Sequence, residues 1–145
     1  MKHPKYPVKA DDERYLYEFF SEGPRGSIKK TVIYSQIEED FFNLSFGDWN
    51  ENLNRLDDSS RTNNGDRNKV LATVAYTALD FTAKFPHSQI LIEGSTSART
   101  RLYQMGIADT LLEIKKKFII FGYFKEHWEP FLRGKNYEAF LIQKK

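Results

Sequence analysis

The sequence contains no cysteine among its 145 residues. This excludes disulfide bonds, thiolate metal sites and a cysteine nucleophile, and it fits a cytosolic protein. No apolar run approaches the roughly 20 residues that a membrane-spanning helix needs. The first fifteen residues, MKHPKYPVKADDERY, also lack the apolar core of a signal peptide. We therefore expect a cytoplasmic protein without a membrane segment.

Several catalytic signatures are also missing. There is no phosphate-binding loop ending in Gly-Lys-Ser/Thr and no Gly-x-Ser-x-Gly nucleophile turn. The three histidines, His3, His87 and His127, are too scattered for the ligand spacing of a zinc site. A formal net charge of +2 is too small to indicate nucleic-acid binding. We expect no metal site and no nucleic-acid partner.

Aromatic residues are abundant, with 12 Phe, 8 Tyr and 2 Trp, and 40% of the chain is hydrophobic. A chain of this length and composition can bury the core of one domain. Residues 1–13 contain two prolines and few apolar side chains. The sequence therefore predicts a flexible N-terminal arm over residues 1–13 and a single domain over residues 14–145.

The first half of the domain reads as β-structure. Two aromatic or β-branched runs on either side of SEGPRG predict a hairpin, since Pro and Gly favour a turn. The stretch FFNLSFGDW predicts a further strand with Phe42, Leu44 and Phe46 on one face. Residues 50–66 are polar, and they predict either a long loop or a strand with a loop on each side.

The second half mixes helices with strands. A helix is predicted from apolar residues that recur at a helical period, namely Val70, Leu71, Val74, Ala75, Ala78, Leu79 and Phe85. Asn63, Asn64 and Asp66 offer capping oxygens at its start, and Pro86 ends it. The runs QILIE, FIIFGYF and NYEAFLIQ predict strands. SARTRLYQMGI predicts a short helix capped by Gly106, and DTLLEIKKKF another turn or two. The fold class is α+β, a mostly antiparallel twisted sheet with two or three helices packed on it.

The stretch EGSTSARTRLY combines a glycine, a run of three consecutive hydroxyl side chains and two arginines where a strand passes into a helix. A helix start exposes unpaired N–H groups and carries partial positive charge, so this pattern favours an anion or phosphate site. The same hydroxyls are also good helix caps, which is the alternative interpretation. The candidate residues are Gly94, Ser95, Thr96, Ser97, Arg99 and Arg101.

A second stretch of this kind is NNGDRNK, which offers Asn64, Gly65 and Arg67 before the longer helix. Its alternative interpretation is a simple turn and cap. If both helix starts face the same edge of the sheet, we expect them to form one site.

The middle of the chain resembles the GCN5-related N-acetyltransferase fold. The resemblance lies in a capped helix, a short apolar strand, a polar turn and the stretch ARTRLYQMGI, with NYEAFLIQKK placed like the last strand of that family. It implies an acetyltransferase-like layout and acyl-CoA as a cofactor. It also implies a phosphate contact at Gly65 and Tyr103 as the acid that protonates the departing thiolate.

The whole chain resembles a small family of uncharacterised bacterial proteins that is associated with Bacteroidota. The stretches FSEGPRGSIKK, NNGDRNKVLATV, GSTSARTRLYQMGI and GKNYEAFLI carry this resemblance, which implies no established activity.

Two hypotheses about function follow. The first is an acyl-CoA-dependent transferase, active or decayed, whose arginines hold a phosphate or another anion. The second is a non-catalytic interaction or regulatory module, in which the arginines pair with a partner or with the acidic stretch 38–66. That stretch holds eight acids and two arginines, whereas residues 115–145 hold eight bases and three glutamates. Such an uneven distribution can steer a charged partner, and the alternative interpretation is two solvated faces that attract each other weakly.

Overall fold

The computed structural model describes residues 4–57, 64–109 and 111–145. These residues form nine β-strands and three α-helices, which confirms the predicted α+β class. The strands are β1 Lys9–Ala10, β2 Leu16–Gly23, β3 Gly26–Glu38, β4 Phe41–Asn50, β5 Arg55–Asp57, β6 Gln89–Ile92, β7 Phe118–Phe124, β8 His127–Pro130 and β9 Ala139–Lys144. The helices are α1 Arg67–Lys84, α2 Ser97–Asp109 and α3 Leu111–Lys117.

The strands form one sheet in the order β1-β2-β3-β4-β6-β9-β7-β8, with β5 paired to β4. Among the described strands, only β4 and β6 run parallel to each other, from the pair Phe41 and Gln89 to the pair Leu44 and Ile92. Helix α1 is the crossover between these two strands, because parallel neighbours require a long connection. The sheet is therefore mostly antiparallel, as the sequence predicts.

The predicted hairpin is confirmed, since β2 and β3 pair in register from Leu16 to Gly23. The predicted face of β4 is also confirmed, because Phe42, Leu44 and Phe46 are all buried. Strand β5 settles the alternative for residues 50–66 in favour of a strand. Residues 58–63 lie outside the described part of the chain, and so does the proposed cap oxygen of Asn63.

The three helices pack on the same face of the sheet. Phe81 of α1 stacks on Tyr34 with ring centroids 4.2 Å apart, and it meets Phe42 edge-on at 4.9 Å. The side of α1 that faces the sheet also carries the buried hydroxyls of Thr73 and Thr77. Thr73 donates to the backbone carbonyl four residues earlier, at 2.7 Å, so burying it leaves no hydroxyl donor unpaired.

Because Thr73 and Thr77 lie on the side of α1 that faces the sheet, the apolar residues of α1 alone do not identify its buried face. Val70 and Ala78 are buried in the protein interior, whereas Leu71, Val74 and Leu79 are half-buried and line a cavity between the helices and the sheet. Asp66 precedes the helix, yet its side chain forms no cap hydrogen bond. Its carboxylate instead accepts hydrogen bonds from Tyr6 and Ser21.

Part of the segment that the sequence predicts to be a flexible arm is packed on the domain. Tyr6 is buried, stacks on Phe19 with centroids 5.9 Å apart, and donates its hydroxyl to Asp66 at 2.5 Å. Its backbone N–H donates to Thr73, and β1 pairs with β2. The prolines do not reveal this packing, which consists of the buried Tyr6 ring, its hydrogen bonds and the pairing of β1 with β2.

Helix α2 is longer than the sequence predicts. Gly106 lies inside it rather than at its C-terminal cap, since the helix continues to Asp109. A Cβ on Gly106 would lie 2.5 Å from the Cδ1 atom of Leu71, so glycine here allows α1 and α2 to approach closely. Strand β8, His127–Pro130, was also not predicted; it pairs with β7 at the edge of the sheet.

Candidate functional site

A polar pocket of about 440 Å³ lies at the start of α2. Ligand pockets in proteins range over roughly 300–1,000 Å³, so this volume suits a small molecule. The pocket lies beyond the end of β6 and is lined by Glu93, Gly94, Ser95, Thr96, Ser97, Thr100, Arg101, Gln104, Asn136, Tyr137 and Glu138.

Strand pairing explains why these distant residues meet. β6 and β9 are antiparallel, with Ile92 opposite Phe140, so the residues after β6 come alongside the residues before β9. Gln104 then joins the two walls. Its side chain donates to the carbonyl of Lys135 and accepts a 2.9 Å hydrogen bond from the N–H of Tyr137.

The turn that enters α2 is held by its own hydroxyl groups. The N–H of Gly94 donates to Thr100 Oγ1 at 3.0 Å, and the N–H of Arg99 donates to Thr96 Oγ1 at 3.2 Å. Thr96 therefore caps the helix, as the alternative interpretation of this stretch expects. Ser97 is exposed at the first helical position and lines the pocket, so capping and pocket formation both occur here.

Gly94 is required for steric reasons. A Cβ at this position would lie 2.4 Å from the backbone nitrogen of Thr100 and 2.7 Å from the Cβ of Arg99. Both are closer than real Cβ contacts allow, and the first is to backbone, which cannot move aside easily. The close approach of the chain at Gly94 to the first turn of α2 therefore requires a residue without a side chain.

The pocket contains charges of both signs. Arg101 is exposed and lines it, and within the described part of the chain Arg101 forms no ion pair. The start of α2 adds partial positive charge on the same wall. Glu93 and Glu138, both exposed, also line the pocket. An anion therefore finds attraction at Ser97 and Arg101 and repulsion at the two glutamates.

Tyr137 forms a fixed wall of the pocket. It is buried, and its hydroxyl donates to Glu129 at 2.9 Å while accepting the N–H of Leu132 at 3.0 Å. Burial raises the pKa of Tyr137 above its ordinary value, and the hydrogen bond to Glu129 raises it further. Its phenol therefore stays protonated at neutral pH. Hydrogen bonds from Lys135 and Tyr137 lower the pKa of Glu129.

The other predicted phosphate site lies elsewhere. Asn64 is buried, accepts the N–H of Arg25 at 2.7 Å and donates to the carbonyl of Gly26 at 2.9 Å, so its side chain supports the β2–β3 turn. Gly65 follows it with φ +75, in the left-handed region. Arg67 reaches Asp109, at the far end of α2, with an N–O distance of 3.4 Å.

Helix α2 runs about 18 Å from its start to Asp109, at roughly 1.5 Å per residue. The start of α1 therefore lies beside the end of α2 rather than its beginning, and the two helix starts do not form one site. Two further predicted residues also lie apart from the polar pocket. Tyr103 lines an apolar cavity on another face of α2, and Arg99, half-buried, contributes its backbone to the contact with Gly94.

Sequence reasoning missed six pocket residues: Glu93, Thr100, Gln104, Asn136, Tyr137 and Glu138. Helical spacing could have found two of them, since residues 97, 100, 101 and 104 share one face of a helix. The segment 136–138 could be found only from the antiparallel pairing of β6 with β9, which the apolar patterns do not specify.

The described residues contain no group of three or more His, Asp or Glu side chains placed to hold a metal ion. None of the described helices is both long and apolar enough to cross a lipid bilayer.

The fold and the pocket together define an α+β domain with a polar pocket at the carboxyl end of its parallel strand pair. A family model described as "Family of unknown function (DUF6934)" matches residues 2–145. The chain therefore belongs to this family, and the predicted whole-chain resemblance to a family of unknown function is confirmed. No curated protein and no solved structure matches the chain.

Proposed function

We propose that the polar pocket binds a small anionic ligand through a phosphate or an equivalent group. One observation carries the proposal: a pocket of ligand size has the hydroxyls, the helix start and Arg101 on one wall. Amide groups at a helix start and a guanidinium are the groups that proteins use most often for phosphate.

The position of the pocket in the fold supports the proposal. Ligands of sheets with parallel strands bind outside the carboxyl ends of those strands, where the chain turns into helices. Strand β6 is a member of the parallel pair, and Gly94 and Ser95 follow its carboxyl end.

Acyl-CoA is the first ligand class to test, because the sequence resembles the GCN5-related acetyltransferases and because acyl-CoA carries several phosphates. Catalysis by Tyr103 is not part of the proposal, since that residue lines the apolar cavity rather than the polar pocket. The proposed activity is therefore binding, and transfer of an acyl group is a separate question for an activity assay.

The test is a thermal shift measurement with acetyl-CoA, CoA, ADP and inorganic phosphate at millimolar concentration. A ligand present at 100 times its Kd stabilises the folded state by about 2.7 kcal/mol. We expect Arg101→Ala to lower the affinity at least tenfold while the unliganded melting temperature changes little. Arg55→Ala, an exposed arginine on β5, is the matched control. An equal response of both variants, or no shift with any probe, contradicts the proposal.

A non-catalytic interaction module is the second candidate function, and the uncovered face of the sheet favours it. The three described helices all pack on the opposite face. The uncovered face presents Phe20, Ile119 and Trp128, which are 52%, 39% and 42% exposed. Ile119 and Trp128 lie on the adjacent strands β7 and β8, whereas Phe20 lies on β2 at the other end of the sheet. Apolar side chains that are exposed on neighbouring strands can mark a contact surface. Light scattering of the wild type and of the Phe20→Ser and Trp128→Ser variants checks for association; one monomer mass for all three over the concentration range argues against self-association.

A further inference from the structure

We propose that the apolar cavity between the helices and the sheet binds the aliphatic chain of a small carboxylate. The cavity has a volume of about 90 Å³ and lies on a different face of α2 from the polar pocket. It is bounded by all three helices and by four strands, β4, β6, β7 and β9. This inference is independent of the proposed function.

The lining is almost entirely apolar. Leu44, Leu71, Val74, Ile92 and Ile107 are among the side chains that surround the space, and the polar ones are Tyr103, Glu113 and Lys117. Protein interiors are close-packed, and voids larger than a water molecule are few. An apolar void does not hold water stably, but it does bind apolar molecules of fitting size.

The size of the cavity selects the shape of the ligand. A cavity of roughly 150 Å³ accommodates benzene, so the smaller space here suits a thin linear chain better than a ring. On the α1 wall the lining includes Ala75 and Ala78. These small side chains leave space that a leucine would fill.

The charges near the cavity select the head group. Lys117 is the lining residue with a positive charge, and Lys115 and Lys116 are exposed on the same last turn of α3. Within the described residues Lys117 forms no ion pair. Glu113, the one acid in the lining, is half-buried, whereas Lys117 is exposed and can meet a head group at the solvent side of the cavity. A carboxylate beside Lys117, with its chain directed into the cavity, satisfies both features.

The two sites use different faces of α2. Ser97, Thr100 and Arg101 line the polar pocket, whereas Tyr103, Gly106 and Ile107 line the cavity. A carboxylate bound in the cavity therefore leaves the pocket open, and loss of one site leaves the other testable.

The test is an NMR titration of the full chain with butanoate, hexanoate and octanoate, and with 1-hexanol as the uncharged probe. Each methylene that enters the cavity should raise the affinity about fourfold, from roughly 0.8 kcal/mol per buried CH₂. We expect the gain to stop once the chain exceeds the cavity. Hexanoate should bind at least threefold more tightly than hexanol.

Two matched pairs of variants locate the site. Ala75→Leu fills the cavity and should weaken hexanoate binding more than tenfold, whereas Ala83→Leu on the exposed side of α1 should not change it. Lys117→Gln should weaken hexanoate but not hexanol, whereas Lys116→Gln should leave both unchanged. If Ala75→Leu does not fold, the site is located instead by intermolecular NOEs between hexanoate and the methyl groups of Leu71 and Ile92.

Absence of binding by every probe, or unchanged binding by a folded Ala75→Leu variant, overturns the proposal. Affinity that does not depend on chain length overturns it as well. Equal affinity for hexanoate and hexanol overturns the proposed recognition of the carboxylate by Lys117.

Discussion

The side-chain carbonyl of Gln104 lies 2.9 Å from the backbone nitrogen of Tyr137 and accepts its hydrogen bond. The same side chain donates to the carbonyl of Lys135. One residue of α2 thus satisfies two backbone groups of the segment that leads into β9. Because Tyr137 lines the polar pocket, the shape of the pocket depends on this contact.

Replacing Gln104 with alanine removes both hydrogen bonds and leaves two backbone groups without a side-chain partner. Each half-buried group that loses its partner costs about 1–3 kcal/mol. We expect a loss of stability of this order and faster amide exchange at Tyr137. Hydrogen-exchange mass spectrometry and urea unfolding measure the two effects. Met105→Ala, the exposed neighbour on α2, is the control, and equal behaviour of the two variants would contradict the role of Gln104.

Gly94→Ala should destabilise the domain. The new methyl group would lie 2.4 Å from the backbone nitrogen of Thr100, so the turn or the helix must move. Overpacking of this kind costs about 1–3 kcal/mol, and the displaced turn should also weaken ligand binding in the pocket. Urea unfolding measures the stability. Ser97→Ala, an exposed neighbouring position, should stay within about 0.5 kcal/mol of wild type; a Gly94→Ala variant as stable as Ser97→Ala would show that the turn tolerates a side chain.

The ion pair of Lys30 and Asp48 on β3 and β4 is largely buried, with side chains 8% and 15% exposed. Removing one partner of a buried pair leaves an uncompensated charge and costs about 3–5 kcal/mol. We expect Asp48→Leu, which leaves the ammonium group of Lys30 buried, to lose stability in this range and the double variant Lys30→Met/Asp48→Leu to recover at least half of the loss. Chemical denaturation of the wild type, the two single variants and the double variant forms the cycle. Additive losses in the double variant would mean that the two charges do not depend on each other.

Stability should fall in acid through Glu129. Hydrogen bonds from Lys135 and Tyr137 lower the pKa of this carboxyl below its ordinary value of 4.5 in the folded state. Its contribution is therefore complete above pH 4.5 and is lost as the pH falls through the folded-state pKa. We expect Glu129→Gln to flatten the loss of stability as the pH falls below 4.5, measured as urea midpoints. Glu126→Gln on the same hairpin is the control, and identical pH profiles for wild type and Glu129→Gln would remove Glu129 as the cause.

Local patterns predicted most of the fold. The β2–β3 hairpin, the buried face of β4 and the end of α1 before Pro86 all follow from interactions between residues near in sequence. The features that the patterns did not predict depend on tertiary contacts between elements distant in sequence. Gly106 looked like a helix cap, but its use is the contact with Leu71 on another helix.

The candidate site divides in the same way. The stretch from Gly94 to Arg101 was predicted because one helix start carries it. Asn136 and Glu138 line the pocket because β6 pairs with β9, some forty residues away in sequence. No local sequence pattern predicts this pairing. Asn64 was predicted from its residue type, but burial in the β2–β3 turn gives it a structural role.

The parallel contact of β4 with β6 has a consequence for the order of folding. It consists of four residue pairs, and the first joins Phe41 to Gln89. Residues so distant in sequence meet only after the entropy of a long loop has been lost, whereas β2, β3 and β4 form from short-range hairpins. We expect the antiparallel strands β2, β3 and β4 to be paired in the folding transition state and the parallel pairing of β4 with β6 to form afterwards. In stopped-flow kinetics, Val32→Ala should then slow refolding, while Ile90→Val should mainly speed unfolding.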